Sequence, residues 1–93
     1  MTRSAKDEII EILKQSFKIS HLEIQDKTSD HASHIGAQKS GGGHFVVTIV
    51  SDQFKGQSIL ERHRMVYEVL KQKFKSQIHA LAIKAMTPQE FHR

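Results

Sequence analysis

The chain has 93 residues, which suits a single domain over residues 1–93, and its 38% hydrophobic and 26% charged content is typical of a globular protein. Because it contains no cysteine, internal disulfides and cysteine zinc sites are excluded, and we expect a reducing, cytoplasmic location. No apolar run resembles a signal peptide or a membrane span of about 18 residues. The formal charge of +4 permits an acidic partner, including nucleic acid, without requiring one.

The first half of the chain predicts a helix, a strand and a long loop. Ile9, Leu13 and Phe17 recur at fourfold spacing behind a capping residue, Ser4, which is typical of an amphipathic helix. The alternation in "HLEIQDK" predicts a half-buried strand. A loop of roughly residues 28–43 follows, and its length indicates either a functional or a disordered segment.

The second half predicts strand, helix, strand and short helix. "HFVVTIV" is apolar on both faces, which favours a central strand. Ser58 and Glu61 form a capping box that opens the helix "ILERHRMVYEVLKQKFK". "IHALAIKAM" predicts a third strand with His79 on the side of Leu81 and Ile83, and "TPQEF" predicts a short capped helix.

The element order is therefore α-β-β-α-β-α, and it predicts an α+β domain with three strands and helices packed on one face of the sheet. The first two strands should pair in antiparallel fashion. The third strand follows a helical crossover, so it should run parallel to a neighbour.

The second long helix has one predicted apolar face, which includes His63. Arg62 and Arg64 should project to either side of it. We expect His63 to be a partly buried, hydrogen-bonded histidine, with a direct functional contact as the alternative. The apolar members of this face are Ile59, Val66, Leu70 and Phe74.

Histidines are the candidate metal ligands. His79 begins a strand at a sheet margin, where a ring can be both anchored and accessible, although a structural role is the alternative. His31 and His34 form an H-x-x-H pair in the long loop, and two nearby imidazoles can bind transition metals. No nucleophile–base motif and no phosphate loop opening a helix is present, so we do not expect an enzyme.

The sequence resembles the BolA family from its first helix to Phe91. The central signature lies in "FKGQSILERHRMVYEVL", with Phe54, Gly56, Arg62-His63-Arg64 and Val66-Tyr67 at the matching positions. "HFVVTIVSDQF" and "IHALAIKAMTPQEF" match on either side. The resemblance implies a fold similar to class II KH domains.

The resemblance also implies a partner and a cofactor. BolA-like proteins pair with monothiol glutaredoxins and share a [2Fe-2S] cluster, to which the glutaredoxin and glutathione each supply a thiolate. The BolA partner supplies a histidine of the third strand, here His79, and a loop histidine, here His31 or His34, with His44 ranked third. Mixed histidine and cysteine ligation of such clusters is known chemically. Alone, the chain should carry no cofactor and be a monomer or weak homodimer.

A second function implied by the resemblance is transcriptional regulation through DNA or RNA binding. The candidate contacts are Arg62, His63, Arg64 and Lys71, with Lys73 and Lys75 adding positive charge nearby. The G-x-x-G loop with which KH domains hold RNA is absent, since "FKGQ" has one glycine. Basic residues on a helix also commonly form only its solvated face.

Overall fold

A computed structural model describes residues 4–27, 43–75 and 77–92 of the chain. The predicted order of elements is confirmed. A 3-10 turn at Asp52–Phe54 and another at Lys71–Lys75 flank the second long helix. The helices and strands are α1 (Ala5–Ser16), β1 (Ile19–Asp26), β2 (Gly43–Ser51), α2 (Ile59–Leu70), β3 (Ile78–Met86) and α3 (Pro88–Phe91).

The three strands form one mixed sheet in the order β1-β2-β3. β1 pairs with β2 in antiparallel fashion and β3 runs parallel to β2, as predicted. β2 is the central strand, as predicted, and both of its edges are paired. Its buried side chains lie mostly on the face of Phe45, Val47 and Ile49. On the other face Val50 is buried, and the remaining side chains are half-buried.

One face of the sheet packs against α1 and α2. Ile9, Leu13 and Phe17 of α1 are buried, which confirms the fourfold stripe. They join buried residues of alternate strand positions and of α2 in one core. The other members of that core are Ile24, Phe45, Val47, Ile49, Phe54, Val66, Leu70, Ile78 and Leu81.

The helix starts follow the local sequence closely. Ser4, Ser58 and Thr87 each accept a hydrogen bond from a backbone N–H of the first helical turn, as an N-cap does. At Thr87 the box is reciprocal, because Glu90 also accepts from the Thr87 N–H. Gly56 adopts a positive φ of 79° in the turn before α2, a conformation that L residues with a side chain rarely take.

Two predictions for α2 are wrong. The α-helix ends at Leu70, and the predicted last turn is the tighter 3-10 segment, a common way to finish a helix. Ile59 was predicted to be in the core but is 71% exposed. It lies on the same helical face as Val66, but Arg62 is the residue of the first turn that packs closely against the end of β3.

No helix among the described residues has both the length and the apolar character needed to cross a membrane.

Candidate functional site

His79 lies at an irregularity in the β2–β3 pairing. Gly43 is opposite Ile78 and His44 is opposite Ala80, so His79 is an additional residue between two paired positions. Such a bulge breaks the alternation of a strand. As a result Leu81 is buried while His79 is exposed, and the prediction that they share a face is wrong.

His44 places a second imidazole next to His79. The centroids of the two rings are 5.0 Å apart, with an interplanar angle of 43°. His44 was ranked behind the loop histidines because it begins the second strand rather than lying in the loop. The signal that would have found it is the parallel pairing: His44 and His79 are each the second residue of adjacent parallel strands.

The long connection between β1 and β2 leaves and returns at the same end of the sheet. The Lys27 N–H donates to the His44 carbonyl at 2.7 Å, and the Gly43 N–H donates to the Gln77 carbonyl at 3.1 Å. Residues 28–42 thus connect two positions adjacent to the histidine pair. His31 and His34 fall outside the described residues, and their role as ligands stays a prediction.

His44, but not His79, contributes to the lining of a shallow depression on the sheet. Its volume is about 350 Å³, and its lining comes from the end of β1 and the first halves of β2 and β3. Among the described residues, no three His, Cys, Asp or Glu side chains are grouped so that they could hold a metal ion. The lining residues are Lys27, His44, Phe45, Val46, Ala80, Leu81 and Ala82.

Arg62, a predicted nucleic-acid contact, is buried. Its guanidinium donates to Glu90 at 2.7 and 3.2 Å and to the carbonyls of Gln57 and Ala85 at 2.9 and 3.0 Å. Arg62 was predicted to lie beside the apolar face, and these acceptors hold its guanidinium against the end of β3. Its contact with nucleic acid stays a prediction. The hydrogen bonds from Arg62, and then that from the Thr87 N–H, lower the pKa of Glu90 from 4.5 to about 2.

The other basic residues of the predicted surface differ in exposure. Arg64 and Lys71 are exposed, and each pairs with a glutamate three residues before it. Lys73 is held by Glu8 of α1 at 3.0 Å, so it ties two elements together. The side chain of Lys75 is outside the described part of the structure.

His63 is half-buried, as predicted. Its predicted hydrogen bond is not found: among the described residues, none donates to or accepts from its ring. His63 instead lines a second depression, between α2 and the end of β3.

Comparison with known proteins gives the family. The family model described as BolA-like protein matches residues 13–90. The chain is 41% identical over 86 residues to SufE-like protein 1, chloroplastic/mitochondrial, of Arabidopsis thaliana, covering 88% of this chain but only 23% of that protein. It is 35% identical over 86 residues to the DNA-binding transcriptional regulator BolA of Escherichia coli (strain K12), covering 92% and 78% of the two chains.

A solved structure agrees with these matches. The BolA domain of SufE1 from Arabidopsis thaliana superimposes with a TM-score of 0.80 at 38% identity, covering 97% of this chain and 99% of that one. The match therefore extends over nearly the whole of both chains. The chain belongs to the BolA family.

Proposed function

We propose that this chain is a non-enzymatic adaptor that binds a monothiol glutaredoxin and contributes a histidine to a [2Fe-2S] cluster shared between the two proteins. Such an adaptor would act in iron–sulfur cluster assembly, trafficking or iron sensing. The observation that carries the proposal is the exposed imidazole of His79 next to the ring of His44 at one end of the sheet.

The donor set fits the chemistry of such a cluster. Imidazole nitrogen is an accepted ligand of [2Fe-2S] iron when thiolates complete the set. The chain has no cysteine, so in this proposal glutaredoxin and glutathione provide the thiolates. His79 would be the first ligand from this chain, and His31, His34 or His44 the second.

The surrounding residues support ligand binding by His79. The bulge turns this side chain out of the core, while Ile78 just before it and Leu81 two residues after it are buried and fix the strand. A ligand that is accessible but held by a rigid element loses little freedom on binding. His44 packs against one side of the ring and restricts the directions from which a partner can approach.

The proposal is tested by adding the chain to a cluster-loaded monothiol glutaredoxin with glutathione and recording the visible circular dichroism. We expect the spectrum of the glutaredoxin homodimer to be replaced by a new one that saturates at a one-to-one ratio. An unchanged glutaredoxin spectrum at excess chain would contradict the proposal.

The name of the Escherichia coli relative describes a DNA-binding regulator rather than an enzyme, and it favours nucleic-acid binding as a second candidate function. With Arg62 bound to Glu90, the exposed side chains of Arg64 and Lys71 would make the phosphate contacts. Arg64→Ala should then weaken binding to duplex DNA and reduce the slope of log K against log salt by about 1. Binding without salt dependence would contradict this candidate.

We also propose a cytoplasmic location, where a reducing environment keeps the partner's thiols available. The Arabidopsis relative's name places that protein in chloroplasts and mitochondria.

A further inference from the structure

The first turn of α2 exposes apolar surface next to a depression. Ile59 continues the stripe of Val66 and Leu70, but it is 71% exposed, whereas the other two are fully buried. The stripe therefore extends beyond the core at this end of the helix. Exposed apolar surface that continues into a depression is typical of a binding site.

The depression lies between α2 and the end of β3 and has a volume of about 440 Å³. Apolar side chains from both elements contribute to it, and polar side chains complete the lining. We call this region the end groove. Its lining residues are Ile59, Arg62, His63, Ile83, Lys84, Ala85, Met86 and Glu90.

The charge of the end groove is unbalanced. Glu90 is its acidic residue, and Arg62 neutralises it at 2.7 Å. Lys84 is exposed, and among the described residues no carboxylate pairs with it. A ligand with a carboxylate near its apolar part would therefore be favoured. A second copy of the chain is disfavoured by the formal charge of +4 on each copy.

The end groove and His79 are at opposite ends of β3. Six residue steps separate His79 from Ala85, which is roughly 20 Å at the rise of a strand. A ligand in the end groove would leave the histidine pair accessible.

We propose that the end groove binds an acidic amphipathic helix of a partner protein. Apolar side chains on one face of that helix would cover Ile59 and fill the depression, as in other helix-in-groove complexes. An Asp or Glu beside them would pair with Lys84. The proposal is independent of cluster binding at the histidine pair.

The test uses two synthetic helical peptides with identical leucines at i, i+3 and i+7. One peptide carries glutamates beside the leucines and the other carries lysines. Titrated into the ¹⁵N-labelled chain, the glutamate peptide should shift the amide signals of Ile59, Lys84 and Met86 and leave that of His79 unchanged. Its Kd should be about fivefold lower than that of the lysine peptide.

Matched variants locate the site. Ile59→Asp should abolish binding, whereas Leu60→Asp, at an exposed apolar residue outside the groove, should keep it. Lys84→Glu should reverse the preference between peptides, and Lys6→Glu on α1 should not. Equal affinity of the two peptides, shifts elsewhere, no shifts at all, or the same shifts on concentrating the chain alone would each overturn the proposal.

Discussion

The two ends of β3 differ in how their polar side chains are used. At the end that leads into α3, Arg62, Glu90 and Thr87 satisfy one another and the backbone around them. At the other end, a bulge turns His79 out of the core beside His44. Arg62 and Glu90 thus build the fold at one end of β3, whereas His79 is left available for a ligand at the other.

The largest expected effect on stability is at the end of β3 that leads into α3. Arg62→Ala should lower the free energy of unfolding by roughly 2–4 kcal/mol, because it removes donors to two backbone carbonyls and a carboxylate. Arg64→Ala, at an exposed position two residues away, should change it by less than about 0.5 kcal/mol. Urea denaturation measures both, and equal losses would contradict the distinction between the two arginines.

The next largest effect on stability should come from lowering the pH, because Glu90 lies at this same end of β3. The pKa of Glu90 is about 2 in the folded chain and 4.5 as the ordinary value, so its contribution is complete above pH 4.5. It should be lost progressively as the pH falls from about 4.5 to about 2. In Glu90→Gln the urea midpoint should depend less on pH in this window than it does in the wild type. In Glu68→Gln it should follow the wild-type pH profile. A wild-type pH profile for Glu90→Gln would contradict the assignment.

The smallest expected effect on stability is at the end of β3 that carries His79. His79→Ala should change the free energy of unfolding by less than about 0.5 kcal/mol, because the side chain is exposed and outside the core. Thermal and urea denaturation measure this. A loss comparable to that of Arg62→Ala would indicate that His79 has a structural role instead.

The elements that the sequence predicted correctly depend on nearby residues. Ser4, Ser58 and Thr87 cap N–H groups within the next turn, and the stripe of Ile9 and Leu13 repeats over one helix. The parallel pairing of β3 followed from the helical crossover that precedes it. The caps and the stripe can each be recognised within one short segment of the chain.

The features that were missed depend on residues far apart in the chain. The partner of Arg62 is Glu90, 28 residues later, so the position of Arg62 on a helical wheel did not indicate its burial. The exposure of His79 depends on how β3 is registered against β2, and a bulge changes that register by one residue. The proximity of His44 to His79 follows from the same pairing.

The most direct test of the account compares two histidine variants in the titration with cluster-loaded monothiol glutaredoxin. His92→Ala, at an exposed histidine after α3, should give the wild-type circular dichroism spectrum. His79→Ala should give a weaker or altered spectrum, because a cluster ligand is lost although the chain stays folded. A wild-type spectrum from His79→Ala would contradict the central claim that this imidazole ligates the shared cluster.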